Sequence, residues 1–116
     1  MSEIHQVEIR EEYLQLIKQG HKMKEGRIKQ GIFQRIKVDD FINFFCPLTE
    51  SQALAKVVSV EKFPNFEEML NGNELEKYLP GIKSVKDGVA IYYSFPGYKQ
   101  KEKENEVLGI GISLVE

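Results

Sequence analysis

The sequence predicts an α+β fold built on a mostly antiparallel, barrel-like sheet with three to four short flanking helices. Short segments with the two-residue apolar alternation of β-strands recur along the 116-residue chain, and short amphipathic helices interrupt them. These segments lack the regular strand–helix–strand rhythm of parallel α/β proteins. No repeat, low-complexity tract or linker divides the chain, so we expect one domain over residues 1–116.

The first part of the chain predicts a strand, a helix and then a pair of strands. Residues 4–9 have the composition of a short strand, and residues 10–19 repeat apolar side chains at helical spacing. Gly20 follows at the position where that helix is expected to end. From residue 21 to residue 46 the apolar period shortens to two, which predicts two strands joined by a turn at Asp39-Asp40.

The second part predicts further strands and short helices. The β-branched run within residues 53–63 predicts a buried strand. Asn65 and Glu68 have the spacing of a capping box, so we expect a helix that ends near Leu70, followed by a short helical piece over residues 74–79.

The last part of the chain contains one ambiguous segment and one clear one. Residues 84–95 have strand propensity, but Ser84 with Asp87 resembles a helix cap and the apolar residues recur at helical spacing, which favours a helix. Residues 107–114 alternate large apolar side chains with glycine and serine, as in a strand that another backbone or a ligand approaches closely.

The composition is typical of a globular domain, with 41% hydrophobic and 29% charged residues. The single cysteine, Cys46, cannot pair within the chain, which favours a reducing compartment. The first residues lack the pattern of a signal peptide, and no apolar run approaches the roughly 20 residues that cross a bilayer. We therefore expect a cytoplasmic protein that does not contact membranes.

Charge is distributed unevenly along the chain, although its formal total is only −2. Residues 18–37, which we call the basic segment, contain seven basic residues and one acidic residue, for a charge of +6, while the remainder carries −8. Such a segment on an acidic body is typical of local capture of a polyanion, and a solvated basic hairpin is the alternative.

Several common catalytic and cofactor motifs are missing. Gly109-Ile110-Gly111 is followed by too few residues for the helix of a dinucleotide-binding fold. His5, His21 and Cys46 are too scattered for a zinc site, and Cys46 lies in an aromatic run typical of an inert buried thiol. We expect no metal and no cofactor.

The segment with the most chemical information is Gly20-His21-Lys22-Met23-Lys24-Glu25-Gly26-Arg27. If the backbone bends at Gly20 and Gly26, then Lys22, Glu25 and Arg27 can converge. Arg27 would offer a planar fork for phosphate or a base edge, and Glu25 could orient it or accept a proton. Partial burial would lower the pKa of Lys22 and favour its neutral amine, which can act as a base or nucleophile. The alternative is an ion pair that closes a turn.

This pattern resembles the signature of the ASCH superfamily, whose fold is a PUA-like β-barrel. The signature positions are Gly20, Lys22, Glu25 and Arg27. The likeness continues through Leu79-Pro80-Gly81, residues 84–95, Phe95-Pro96-Gly97-Tyr98, Glu102, Glu106 and the strand from Val107 to Leu114. Similar members are small prokaryotic proteins, and the resemblance implies RNA binding, with ribonuclease activity in some members and deacylation of acetylated cytidine in others.

The resemblance assigns site roles to three residues only, Lys22, Glu25 and Arg27. In the amidohydrolase branch a Thr occupies the position of Glu25, and the separate catalytic Glu of that branch has no counterpart here at a matching spacing. Tyr98 follows Pro96-Gly97 in an expected loop, where it could stack on a base, or could pack on the barrel rim instead. Lys24 and Lys29 are expected to add salt-sensitive attraction for phosphate.

Three hypotheses follow from these observations. The leading one is a domain that binds RNA or a nucleotide or nucleoside in a cleft lined by Lys22, Glu25 and Arg27. The second is a hydrolase acting on a modified nucleoside or on RNA, with Lys22 and Glu25 as catalytic residues. The third is a protein-interaction module that uses the phenylalanine-rich residues 41–45.

Overall fold

Five strands form one curled sheet in the computed structural model, which describes residues 2–115. The strands are β1 (Ile4–Glu8), β2 (Lys24–Ile28), β3 (Phe41–Cys46), β4 (Ser51–Phe63) and β5 (Val107–Leu114). Their order across the sheet is β1-β3-β4-β5-β2. Three of the four pairings are antiparallel, as predicted, whereas β1 and β3 are parallel, which the long connection between them allows.

The sheet carries more helices than the three to four that we predicted, and that prediction was wrong. The described residues form five α-helices, which are α1 (Glu11–Lys18), α2 (Phe66–Leu70), α3 (Leu75–Tyr78), α4 (Val85–Tyr93) and α5 (Tyr98–Glu104). The missed element is α5, which begins directly after Gly97. This glycine has φ +78°, so the chain reverses there and starts a new helix instead of a loop. None of the helices within residues 2–115 combines the length and the apolar character needed to cross a bilayer.

The predicted helix caps are confirmed. The Asn65 side chain accepts a hydrogen bond from the Glu68 backbone N–H at 2.8 Å, and the Ser84 hydroxyl accepts one from Asp87 at 3.1 Å. Each cap satisfies an N–H group that the first helical turn leaves unpaired. The Ser84 cap explains why the ambiguous segment forms the helix Val85–Tyr93 despite its strand propensity.

Residues 36–38 do not form the strand that we predicted before Asp39-Asp40. A 3₁₀ helix, Gly31–Gln34, and an irregular stretch precede the turn instead. The backbone N–H of Lys37 is bonded to the Asp40 carboxylate at 3.2 Å, so it is not available to a strand ladder. The two-residue spacing of Ile36 and Val38 suggested a strand with both side chains on one buried face, but Ile36 is buried and Val38 is exposed.

Two apolar clusters lie on opposite sides of the sheet. One packs α1 against β3, β4 and β5 around Phe44, and the other packs α2, α3 and α4 against β2 and β5 around Phe66. Gly109 allows α3 of the second cluster to pack on β5, because a Cβ at this position would clash with the Tyr78 hydroxyl. The predicted close approach to the β5 backbone is therefore made by a helix.

The phenylalanine-rich strand β3 contributes mainly to packing. Phe44 is fully buried in the first cluster, and Phe41 and Phe45 are half-buried on the other face of the strand. Limited exposure of these rings gives little support to the protein-interaction hypothesis.

A buried carboxylate ties the N-terminal strand to the rest of the sheet. Asp40 is completely buried and accepts hydrogen bonds from the backbone N–H groups of Glu3 at 3.1 Å and Lys37 at 3.2 Å. The Nε2 atom of His5 lies 2.9 Å from the same carboxylate. Burial alone would raise the pKa of Asp40, but these hydrogen bonds outweigh it and hold that pKa below its ordinary value of 3.8.

We expect Asp40→Asn to lower the free energy of unfolding by about 2–3 kcal/mol at pH 7, because an amide cannot accept all three bonds. The pKa of Asp40 is lower in the folded state, so its stabilisation is present above the unfolded pKa and is lost as pH falls through the folded one. Urea unfolding between pH 7 and pH 3 measures both effects. Asp39→Asn, at the exposed neighbour, is the control and should change stability by less than about 1 kcal/mol. Equal effects of the two substitutions would contradict this assignment.

Candidate ligand-binding site

A cavity of about 770 Å³ opens between the start of α1, the β3–β4 turn and the helices α4 and α5. This volume is in the range of small-molecule binding sites. The cavity is lined by Glu8, Ile9, Arg10, Glu11, Tyr13, Lys22, Glu25, Gly26, Arg27, Cys46, Pro47, Leu48, Thr49, Leu79, Tyr92, Phe95 and Tyr98. Its wall therefore combines residues from both ends of the chain.

The structure brings Lys22, Glu25 and Arg27 together, and we call them the charged triad. The Lys22 Nζ atom lies 3.1 Å from Glu25 Oε1, and Arg27 Nε donates a hydrogen bond to Glu25 Oε2 at 2.8 Å. Glu25 thus has one cation on each carboxylate oxygen. The cavity and this convergence are the geometry that the sequence hypothesis required.

Local backbone structure explains how Lys22, which lies outside β2, comes close to Glu25 and Arg27 within that strand. Gly20 ends α1 in the left-handed region at φ +80°, and the Lys22 N–H is then bonded to the Leu16 carbonyl at 3.1 Å. Glu25 and Arg27 project from the same face of β2 because they are two residues apart.

Gly26 does not bend the chain as we predicted, because it lies within the regular strand β2. Its role is to leave space. A Cβ there would lie 2.5 Å from the Met69 side chain and 2.7 Å from the Tyr92 hydroxyl. The second glycine of the motif thus allows α2 and α4 to pack closely on β2.

Lys22 is buried with its ammonium group fully engaged. Only 3% of the residue is exposed, and Nζ donates hydrogen bonds to the carbonyl oxygens of Lys24 at 2.9 Å and Tyr78 at 2.6 Å in addition to its contact with Glu25. Burial lowers the pKa of Lys22, and the Glu25 carboxylate only partly offsets that effect. The three N–H donors of the ammonium group therefore all have acceptors.

The other two members of the charged triad remain ionised at neutral pH. Burial alone would raise the pKa of Glu25, but Lys22 and Arg27 outweigh it and hold that pKa below its ordinary value. Burial alone would lower the pKa of Arg27, and Glu25 more than compensates, so that pKa is raised. The charged triad carries a net charge of about +1 while its lysine is protonated.

Arg27 is fixed in orientation but retains free hydrogen-bonding capacity. Besides the bond from Nε to Glu25, its Nη2 atom donates to the Glu8 carbonyl at 3.0 Å. The guanidinium group also lies 5.4 Å from the centre of the Phe33 ring. These bonds engage two of the five N–H donors of the side chain, so others can reach a ligand.

Tyr92, Phe95 and Tyr98 form an aromatic wall of the cavity. The Phe95 and Tyr98 rings meet edge to face at 5.4 Å, and Tyr92 meets Phe95 in the same way at 6.2 Å. Our prediction that Tyr98 lies in a loop was wrong, because it is the first residue of α5. One of its faces stacks on Phe66 at 5.8 Å, so its position is set by packing.

Lys24 and Lys29 lie outside the cavity. The ammonium group of Lys24 is paired with Glu74 at 2.6 Å and Glu61 at 3.2 Å. Lys29 lies 3.5 Å from a carboxylate oxygen of Glu106. Acidic residues thus neutralise two of the lysines that we expected to attract phosphate.

Several residues of the cavity were not predicted from the sequence, notably Arg10, Tyr92 and the β3–β4 turn. Arg10 is a single charge at the start of a helix, and Tyr92 repeats at helical spacing like a core residue, so neither has a local pattern of its own. Leu48 in the turn is 95% exposed, which is unusual for a leucine, but only the structure shows that it is on the cavity rim.

The carboxylate of Glu102 has a structural function. It accepts hydrogen bonds from the Tyr93 hydroxyl at 2.5 Å and from the Phe66 backbone N–H at 2.8 Å, so it joins α5 to α4 and α2.

Within residues 2–115, no three side chains of the His, Cys, Asp and Glu types cluster as a metal site requires.

We expect Glu25→Ala to lower the free energy of unfolding by about 3–5 kcal/mol, because the buried Lys22 and the partly buried Arg27 would then lack their shared carboxylate. Lys29→Ala is the control, since its partly exposed pair should contribute less than about 1 kcal/mol. Urea denaturation followed by circular dichroism measures both variants. A loss for Glu25→Ala no larger than that of the control would mean that the charged triad does not stabilise the fold.

Comparison with known proteins identifies the family of this chain. The family model described as the ASCH domain matches residues 7–114, which confirms the resemblance seen in the sequence. No curated protein matches the sequence.

Solved structures show the same fold. Hypothetical protein PH0355 is 33% identical with a TM-score of 0.85, and the alignment covers 97% of this chain and 99% of that one. Protein PF0455 from Pyrococcus furiosus is also 33% identical, with a TM-score of 0.78 and coverage of 97% and 98%. An ASCH domain from Lactobacillus crispatus is 14% identical, with a TM-score of 0.68 and coverage of 97% and 79%, which shows a shared fold only. The chain described here therefore belongs to the ASCH domain family.

Proposed function

We propose that this protein binds RNA or a nucleotide-sized ligand in the cavity beside the charged triad. The observation that supports this proposal is the Arg27 guanidinium, which Glu25 and the Glu8 carbonyl hold in one orientation at a cavity with an aromatic wall. A guanidinium with free donors suits phosphate or the edge of a base, and aromatic rings suit the flat face of a base.

Within this proposal, Lys22 and Glu25 position Arg27 and do not hold the ligand themselves. The ammonium group of Lys22 already has three acceptors, and both oxygens of Glu25 already face cations. Removing this support would leave Arg27 free to change rotamer. Tyr98 and Phe95 supply the apolar surface for a base.

We expect Arg27→Ala to weaken binding of a fluorescently labelled short single-stranded RNA about 10-fold to 100-fold, since it removes a charge-assisted hydrogen bond to the ligand. Arg27→Lys should recover only part of this loss, because an ammonium group lacks the planar fork. Fluorescence anisotropy at several salt concentrations measures the affinity.

The matched control for this experiment is Lys29→Ala, which removes a nearby positive charge outside the cavity. It should leave the affinity within about twofold of wild type. The proposal would be contradicted by an absence of binding at low salt, or by an equal affinity of wild type and Arg27→Ala.

A second candidate function is hydrolysis of a modified nucleoside or of RNA. The observation that favours it is a buried lysine whose pKa lies below its ordinary value and which contacts a carboxylate in the cavity wall. In this reaction Lys22 would transfer a proton to or from the substrate, and Glu25 would be its proton partner. A substrate would first have to displace one of the carbonyl acceptors of Lys22.

This second function predicts that the wild type releases acetate from N4-acetylcytidine or shortens RNA, and that Lys22→Ala does not. Chromatography of each reaction gives the rates, and circular dichroism shows whether the variant is folded. Glu25→Gln, which keeps the shape of the side chain, should reduce the rate by about 100-fold or more if the carboxylate transfers a proton. The same background rate for all three proteins would exclude this function.

A further inference from the structure

We propose that Arg10 is a second ligand-binding residue of the cavity and that, with Arg27, it selects ligands with a terminal phosphate. This inference rests on the proposed function and narrows the ligand class. The preferred ligand would be a nucleoside monophosphate, or the phosphorylated end of a single strand, and not an internal stretch of RNA.

The first support is the position of Arg10. It is the residue before α1, its backbone is extended, and its side chain does not cap the helix. The Arg10 guanidinium carbon lies 4.6 Å from the centre of the Phe95 ring, and both residues line the cavity. Stacking on the ring restricts the orientation of the guanidinium group at the cavity mouth.

The second support is the absence of an acidic partner for this arginine. Across residues 2–115, no carboxylate oxygen lies within 4.0 Å of a nitrogen of the Arg10 side chain. Its neighbour Glu11 also lines the cavity, but that carboxylate accepts hydrogen bonds from the Thr49 hydroxyl at 2.5 Å and from the Gln15 amide. Arg10 is thus an exposed cation that is free to bind an anion.

The third support is the charge balance of the cavity. Lys22 and Glu25 neutralise each other, so Arg27 and Arg10 are the cations of the wall that can bind an external anion. Glu8 and Glu11 on the same wall oppose broad attraction of a long polyanion. A terminal phosphate carries up to two negative charges, which match two guanidinium groups, whereas an internal phosphodiester carries one.

The experiment compares nucleosides with their 5′- and 3′-monophosphates, and a trinucleotide with and without a 5′-phosphate, by NMR titration. We expect wild type to bind at least one monophosphate about 10-fold more tightly than the corresponding nucleoside. Arg10→Ala should remove most of this preference while nucleoside affinity stays within about twofold. Arg10→Lys should restore part of it, because the charge returns without the planar group.

Arg35→Ala is the matched control, since Arg35 is an exposed arginine outside the cavity, 3.7 Å from Glu3. It should leave the phosphate preference unchanged. Thermal unfolding of all variants shows whether each one is folded.

The outcomes separate this inference from the proposed function. Equal binding of nucleoside and monophosphate, with RNA binding still dependent on Arg27, would overturn the role of Arg10 alone. Equal weakening of both ligands by Arg10→Ala would also overturn it, because the residue would then act on the shape of the cavity. No binding of any nucleoside, monophosphate or RNA by wild type would overturn both proposals.

Discussion

The shared carboxylate of Glu25 is the contact on which the site depends. Lys22 and Glu25 are at least nine-tenths buried, and burial of an unpaired charge would cost several kcal/mol. Because Lys22 also bonds to the Tyr78 carbonyl, the same contact connects the end of α1, the strand β2 and the helix α3. The pair of Lys22 and Glu25 therefore connects these elements and also fixes the position of Arg27.

Ion pairs in the folded protein neutralise part of the positive charge of the basic segment. In sequence it is a concentrated positive charge, but in the structure Lys24 and Lys29 face acidic residues from β4, the start of α3 and the start of β5. Lys22 is neutralised within the charged triad. At the cavity, the cations that remain for a ligand are the guanidinium groups of Arg10 and Arg27, which favours recognition at one point over attraction along a nucleic-acid backbone.

The site is assembled from two halves of the chain that supply different chemistry. The N-terminal half contributes the cations, and α4 and α5 contribute the aromatic wall, which Glu102 ties to α2. Packing on Phe66 and Phe95 fixes Tyr98, so a ligand meets rings that are already ordered. Ordered groups lose less entropy on binding, which increases the affinity that each contact provides.

The sequence alone determined what depends on neighbouring residues: the caps at Asn65 and Ser84, the helix stop at Gly20, and the spacing that lets Glu25 and Arg27 share a face. These features follow from backbone hydrogen bonds and side-chain periodicity over a few positions. Tertiary structure alone decided the parallel pairing of β1 with β3 and the partners of each charge. Only the fold could place Arg10 at the cavity, because burial and electrostatic pairing depend on residues far apart in the chain.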